Sequence, residues 1–328
     1  IAPNGSGAVQ LDGLSWPTAD GSADQVLATD GDGVLSWATA GGTKLAQVTE
    51  NSETGWRFST ATAANHGDIG TEAVDMSFSA SSSSTKGATG DYSTAMGYST
   101  TASGTRSTAM GYSTTASGTQ STAMGTYTTA SGTNSTAMGQ NTTASGNIST
   151  AMGYHTTASA DYSTAMGYQT TASGNKSTAM NQNTTASGIN STAMGYYTTA
   201  SGIISTAMGE YTIASDYGSL VMGKYNSVGS SVTTDGSATA FDADNSAFVI
   251  GNGTASGSKS DALVVYSNGN ATLAGALTVG TTIGHTADAD LMTLANGSVT
   301  FTGSTVIATA DVNGGAIDGA AIGANSAS

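Results

Sequence analysis

Methionine recurs at a fixed spacing of fourteen residues through the middle of this chain. Each of these methionines lies in a near copy of one unit, for example Ser107-Thr-Ala-Met-Gly-Tyr-Ser-Thr-Thr-Ala-Ser-Gly-Thr-Gln120. A period sustained over ten units predicts a stacked repeat architecture, because one such unit buries its faces only against its neighbours. The residues of this methionine column are Met96, Met110, Met124, Met138, Met152, Met166, Met180, Met194, Met208 and Met222.

The composition limits the kind of core that the chain can build. Of its 328 residues, 45 are glycine, while only 9% are charged and 6% aromatic, which predicts thin cores of small side chains. The formal net charge of −15 argues against a nucleic-acid partner, since phosphate binding requires clustered Lys and Arg. No apolar run approaches the length of about 18 residues that would predict membrane insertion.

Each unit divides into two halves of seven residues. In the first copy, Thr94-Ala-Met-Gly97 is echoed by Thr101-Ala-Ser-Gly104. A coiled coil is excluded because the halves are rich in Gly, Thr and Ser, and collagen is excluded because Gly does not fill every third position. The remaining fold class is all-β: two short strands per unit form one coil of a parallel β-roll, a β-solenoid with coils about 4.8 Å apart.

Strand alternation assigns the faces of this roll. Ala95 and Ala102 occupy equivalent places in the two halves and are predicted to point inward, as are Ala109 and Ala116 in the next coil. The methionine column then points outward from one sheet, and a column of serines such as Ser103 points outward from the other. A straight methionine column exposes a longer apolar stripe than soluble monomers normally do, so it needs a cover.

Other copies of the same chain are the predicted cover. Three rolls around one axis, with methionines inward and serines outward, satisfy the pattern with closed symmetry. Burying each methionine contributes roughly 1.5–3 kcal/mol, so ten per chain give on the order of 20 kcal/mol before entropy costs. Two alternatives stay open: a dimer, and a thicker roll with methionine inside and alanine at a partner surface.

Variable residues follow each methionine two places later, for example Tyr98, Tyr112 and Gln140. We expect them, and pairs such as Thr105-Arg106, to lie at turns. Rows of Tyr, Gln and Asn on a rod surface suit sugar binding, and ordinary stacking of equivalent residues in neighbouring coils is the alternative.

The flanks of the repeat differ from it in pattern. Asp-Gly pairs between short apolar runs predict small hairpins before residue 45, and Val74–Phe78 alternates like a strand. A degenerate unit, Ser246–Gly257, follows the repeats, and Leu277–Val279 and Ser298–Phe301 are predicted strands. The predicted divisions are a β linker or collar at 1–45, an N-terminal cap at 46–92, ten repeat coils at 93–230, degenerate C-terminal coils at 231–270, and a short-strand fibre or linker segment at 271–328 that continues beyond the chain.

No pattern in the chain indicates an active site. The histidines His66, His155 and His285 lie far apart and are predicted to be surface turn residues, and there is no cysteine. Asp242 and Asp244 form a local acidic pair that a solvated turn explains. We therefore predict no catalytic residue, no cofactor, no metal site and no enzymatic activity.

The unit Ser-x-Ala-Met-Gly…Ala-Ser-Gly resembles the head repeats of trimeric autotransporter adhesins, which form a YadA-like left-handed parallel β-roll. Those heads typically carry Ile where Met stands here. The resemblance is strong over residues 93–223 and weak over residues 246–257. It implies a left-handed roll, a homotrimer, and a methionine column that looks toward the trimer core.

Parts of the flanks resemble phage tail-fibre proteins instead. Leu14-Ser-Trp16, Leu35-Ser-Trp37 and the segment Gly314–Asn325 carry this resemblance. The two resemblances together predict a homotrimeric tail-fibre segment of a virion, which contacts a glycan or protein receptor on a host surface and joins other fibre or tail proteins. The alternatives are the head of an adhesin on a bacterial cell surface and a polysaccharide-degrading tailspike.

Overall fold

The computed structural model describes residues 10–11, 14–15, 17, 22, 25–29, 32, 34–39 and 44–275. The described part is all-β, and its helical structure consists of one short 3-10 turn at Ala63–Asn65. The predicted strands Leu277–Val279 and Ser298–Phe301 and the tail-fibre-like segment Gly314–Asn325 lie outside the described residues.

The repeat forms a parallel β-solenoid of about 12 coils, which confirms the predicted fold class. Each coil gives a five-residue strand to a 16-stranded sheet, the long sheet, and a two-residue strand to a 10-stranded sheet, the short sheet. The repeat strands of the long sheet are Thr94–Tyr98, Thr108–Tyr112, Thr122–Thr126, Thr136–Gln140, Thr150–Tyr154, Thr164–Tyr168, Thr178–Gln182, Thr192–Tyr196, Thr206–Glu210 and Leu220–Lys224. The short-sheet strands are Gly87–Ala88, Thr101–Ala102, Thr115–Ala116, Thr129–Ala130, Thr143–Ala144, Thr157–Ala158, Thr171–Ala172, Thr185–Ala186, Thr199–Ala200 and Ile213–Ala214.

Neighbouring coils pair in register, so equivalent residues stack into straight columns. Ala109 lies opposite Ala95, and Met110 lies opposite Met96. The alanines of both halves are fully buried inside each coil, so alanine lines a narrow interior within a single chain. Because opposite walls meet through methyl groups, the interior leaves no room for methionine.

The position after each methionine requires glycine in most coils. Gly111 has φ 123°, and a Cβ there would lie 2.0 Å from the carbonyl oxygen of Gly125 in the next coil. Asn181 occupies this position in one coil, and its φ is smaller, at 86°. The coil that contains Asn181 therefore accommodates a side chain at a position where the other coils have glycine.

The variable residues two places after methionine do not lie at turns as predicted. Tyr98 and Tyr112 are the last residues of their long-sheet strands. The chain turns at the next residue, where Ser99 and Ser113 have positive φ. These side chains extend the outer face of the long sheet because strand alternation places them on the same side as methionine.

Two antiparallel strands cap the N-terminal end of the roll, Leu45–Glu50 and Glu53–Phe58. Glu53–Phe58 pairs in parallel with Val74–Phe78, which in turn lies in register with Thr94–Tyr98. Val74–Phe78 is therefore a strand, as predicted, and coil stacking begins before residue 93.

A buried charged cluster closes this first coil. Asp75 lies opposite Ala95 in the interior column and is fully buried. Its carboxylate accepts hydrogen bonds from Arg57 Nε at 3.2 Å and from Ser77 Oγ at 2.6 Å, and it contacts His66 Nδ1 at 2.9 Å. His66 is 6% exposed, so its prediction as a surface turn residue was wrong. The spacing of the histidines could not show this, because Arg57 and Asp75 approach His66 only after the cap folds.

The pKa of Asp75 predicts acid sensitivity of the cap. Burial raises this pKa, but hydrogen bonds from His66 and Ser77 outweigh burial and hold it below its ordinary value of 3.8. A carboxyl with a depressed folded pKa stabilises the fold above its unfolded pKa, and this contribution is lost as pH falls through the folded pKa. We expect the free energy of unfolding of the cap to fall below about pH 4, measured by denaturation at stepped pH. A variant without Asp75 should lose this part of the acid dependence, and an unchanged profile would contradict the assignment.

The C-terminal end contains the predicted degenerate coil. Ser246–Asn252 pairs in register with Leu220–Lys224, which places Ile250 opposite Met222 and Val249 opposite Val221. Asp261–Tyr266 and Ala271–Leu273 then add antiparallel to the edge of the long sheet.

Two hairpins precede the roll in sequence. Gln25–Thr29 pairs antiparallel with Leu35–Thr39, as the Asp-Gly pattern predicted, and Gln10–Leu11 pairs with Leu14–Ser15.

Candidate assembly interface

The methionine column runs along the outer face of the long sheet. All ten side chains are partly exposed, and each lies directly opposite its neighbours in register. Met76 extends the column at the N-terminal end, opposite Met96, and Ile250 extends it at the C-terminal end. Sequence reasoning missed Met76 because a loop within the first coil breaks the fourteen-residue spacing, although the alternation of Val74–Phe78 carried a signal for it.

The columns beside the methionines are uncharged along most of the roll. Threonines such as Thr94 lie on one side, and residues such as Tyr98 and Gln140 lie on the other. The eight strands from Thr94–Tyr98 to Thr192–Tyr196 contain no charged residue. At about 4.8 Å per coil, the stripe is on the order of 50 Å long, and soluble monomers seldom leave such a face exposed.

The opposite face is polar. Ser103 and its equivalents follow the short-sheet strands, and most of this serine column is exposed. The roll therefore has one face suited to protein contact and one suited to water, and this difference repeats in every coil.

Tyrosines of neighbouring coils stack in two rows, one at the last residue of the long-sheet strands and one at the turn residue that follows. Tyr98 and Tyr112 have centroids 5.2 Å apart and nearly parallel rings, and Tyr211 and Tyr225 are 4.7 Å apart. Such pairs contribute about 0.5–1.5 kcal/mol beyond their burial. These distances match the coil spacing, which favours stacking between coils over sugar binding as the explanation of these rows.

Hydroxyl groups fill the remaining interior positions. Thr114 is fully buried and its hydroxyl has no hydrogen-bond partner in the described residues, and other threonines of its row are alike. Ser149 donates to the carbonyl oxygen of Gly146 at 2.6 Å. The buried residues from Ser93 to Ala214 are Ser, Thr, Ala and Gly, and none of these carries a charged side chain.

Two other kinds of site were sought in the described ranges. No cluster of three or more His, Cys, Asp or Glu residues there could hold a metal ion. No helix in those ranges has the length and apolar character needed to span a membrane.

A family comparison bears on the repeat coils. The family described as the YadA head domain repeat (2 copies) matches residues 88–114, 102–128, 130–156, 158–180, 182–198 and 186–209. Residues 88–209 are YadA-like head repeats. Within them lie nine of the ten methionines, from Met96 to Met208. No curated protein compared with the chain matches it.

The YadA-like repeats coincide with the most regular part of the solenoid. The matched residues begin at the short-sheet strand Gly87–Ala88 and end in the strand Thr206–Glu210. The charged cluster around Asp75 and the coil at Ser246–Asn252 both fall outside the match. The segments that resemble phage tail-fibre proteins lie outside the matched residues.

Proposed function

We propose that the chain forms a homotrimeric, adhesin-like attachment protein whose YadA-like roll projects a binding surface from its carrier. The observation that carries this proposal is the partly exposed methionine column on an uncharged sheet face. A trimer axis beside this face would bury the column of every copy at once. The serine faces would then form the outer surface, in contact with water.

Three copies suit this face better than two. In a trimer each roll meets both neighbours, so the threonine column packs against one neighbour and the Tyr98 column against the other. In a two-fold dimer the two long-sheet faces would lie flat against each other, so the long exposed tyrosines of one copy would face those of the other copy.

Attachment is supported by the contrast between constant and variable positions. Buried alanines and outward methionines repeat in nearly every coil, whereas the residues at the coil corners change from coil to coil. Such an arrangement is typical of a rigid scaffold that presents varied side chains. A bacterial cell-surface adhesin is the first candidate, because residues 88–209 match the YadA head domain repeat. A phage tail fibre is the second candidate, supported by the resemblance at Leu35-Ser-Trp37.

We infer further that the chain is not an enzyme. Asp242, half of the acidic pair, accepts a hydrogen bond from the backbone N–H of Asp244 at 3.0 Å and so shapes its own turn. Incubation of the purified chain with bacterial capsular polysaccharide should leave its chain length unchanged. Depolymerisation would support the tailspike alternative instead.

Cell binding tests the attachment function. The chain has no cysteine, so the exposed Ser131→Cys variant can carry one fluorophore away from the methionine face. We expect the labelled trimer to bind cells saturably in flow cytometry, and an excess of unlabelled chain to compete. Antibodies against the chain should then label intact bacterial cells if it is an adhesin, or phage particles if it is a tail fibre. No saturable binding to any cell panel would contradict attachment.

A further inference from the structure

An insertion, residues 227–245, interrupts the roll after the last repeat coil. Its first residues are fixed by Asp261, whose carboxylate accepts hydrogen bonds from the backbone N–H groups of Ser227 at 2.9 Å and Val228 at 2.7 Å. The insertion is therefore tied at its start to the strand Asp261–Tyr266.

The end of the insertion is tied to the same hairpin. Ser267 donates its backbone N–H to the carbonyl oxygen of Asn245, and Asn268 donates to that of Ala243, both at 2.9 Å. Contacts at both ends hold the insertion and the hairpin as two fixed walls. Fixed walls favour ligand binding because little conformational entropy is lost on association.

A buried carboxylate supports the middle of the insertion. Asp216 is fully buried and accepts hydrogen bonds from the backbone N–H of Thr233 at 2.7 Å and from that of Ser246 at 2.8 Å. The hydroxyl groups of Thr233 and Ser246 donate to the same carboxylate. Such a fully bonded buried acid fixes the position of Thr233, which belongs to the wall of a cleft.

The cleft lies between the insertion and the hairpin, and its volume is about 410 Å³. A neighbouring cleft of about 380 Å³ shares Thr233, Thr234 and Tyr266 with it, so Tyr266 lines both clefts. Both clefts are open to the surface. Together they form one groove, which we call the cap groove.

The polar side chains of the cap groove are available to a ligand. Asp235 and Asp244 are exposed, and neither carboxylate accepts a hydrogen bond within the described part of the chain. Asn270 and Thr272 line the same wall as Tyr266. A tyrosine ring in a cleft that is also lined by two carboxylates, amides and hydroxyls suits a ligand with apolar C–H faces and many O–H groups.

We propose that the cap groove binds a neutral oligosaccharide, with sugar units on both sides of Tyr266. Asp235 and Asp244 accept hydrogen bonds from sugar hydroxyls, and the Tyr266 ring packs against a sugar face. The two carboxylates and the net charge of −15 disfavour acidic sugars. This inference rests on the proposed attachment function and names the chemistry of its receptor.

Titration of the full chain with neutral oligosaccharides tests the inference. The probes are oligomers of glucose, galactose, mannose and N-acetylglucosamine, measured by calorimetry with and without a calcium chelator. We expect saturable binding of at least one series, unaffected by the chelator, and about tenfold or greater weakening in Asp235→Asn and Asp244→Asn variants. Asp242→Asn is the matched control because it removes the same charge outside the cleft lining and should bind normally.

Several outcomes would overturn the inference. These are no binding of any probe, equal binding by all three variants, binding only in the presence of calcium, or a change in oligomeric mass in the Asp235 and Asp244 variants. Measuring cell attachment of the variants distinguishes failure of the groove assignment from failure of the proposed attachment function. If the variants attach to cells normally and no probe binds, the attachment function stands and the groove assignment falls.

Discussion

Aspartate at alternate positions of the methionine column is expected to abolish the trimer. In a variant with Met96→Asp, Met124→Asp, Met152→Asp and Met180→Asp, each change removes roughly 1.5–3 kcal/mol of apolar burial and places a charge at the seam. The loss is on the order of 10 kcal/mol per chain. Light scattering coupled to size exclusion should report monomers or aggregates in place of trimers.

The serine column provides the matched control. Ser103→Asp, Ser131→Asp, Ser159→Asp and Ser187→Asp add the same charge in the same coils, but on the exposed face. We expect this control to remain trimeric. The methionine variants should keep the circular dichroism of a β-roll, because the alanine interior is untouched. A trimer that survives all four methionine substitutions would refute the interface assignment.

Arg57→Met is expected to destabilise the N-terminal cap by about 3–5 kcal/mol. Arg57 is 3% exposed and bonds Glu50 Oε1 at 2.8 Å, Asp75 at 3.2 Å and the carbonyl oxygen of Gly67 at 2.9 Å. Its removal leaves the carboxylates of Glu50 and Asp75 without their shared cation. Removing one partner of a buried ion pair lowers stability far more than replacing both partners by apolar residues. Hydrogen exchange of the Val74–Phe78 amides measures the loss locally.

A double variant provides the internal control for this prediction. Arg57→Met with Asp75→Ala places alanine in the interior column, as in the repeat coils, and removes the carboxylate that has lost its Arg57 partner. We expect it to be more stable than Arg57→Met alone. If the single variant exchanges as slowly as the parent, the charged cluster does not stabilise the cap.

Repetition made the central coils predictable. The fourteen-residue period, the alternation of Ala and Met, and the glycine after Met all act within a coil or between adjacent coils, so one unit specifies the next. The predicted outward position of methionine agrees with its partial exposure, while its burial in a trimer stays a prediction. The expected turn at Tyr98 was displaced by one residue, because in-register pairing with Tyr112 prolongs the strand.

The sequence by itself determined the coil length, the inward alanines, the parallel stacking and the resemblance to YadA-like heads. Only the tertiary structure decided how the roll is closed at its ends, because closure depends on residues far apart in sequence. Arg57 meets Asp75 across a coil, and Asp216 meets Ser246 across the insertion. The fourteen-residue period carries no information about such contacts, so the buried His66 and the cap groove emerged only from the folded chain.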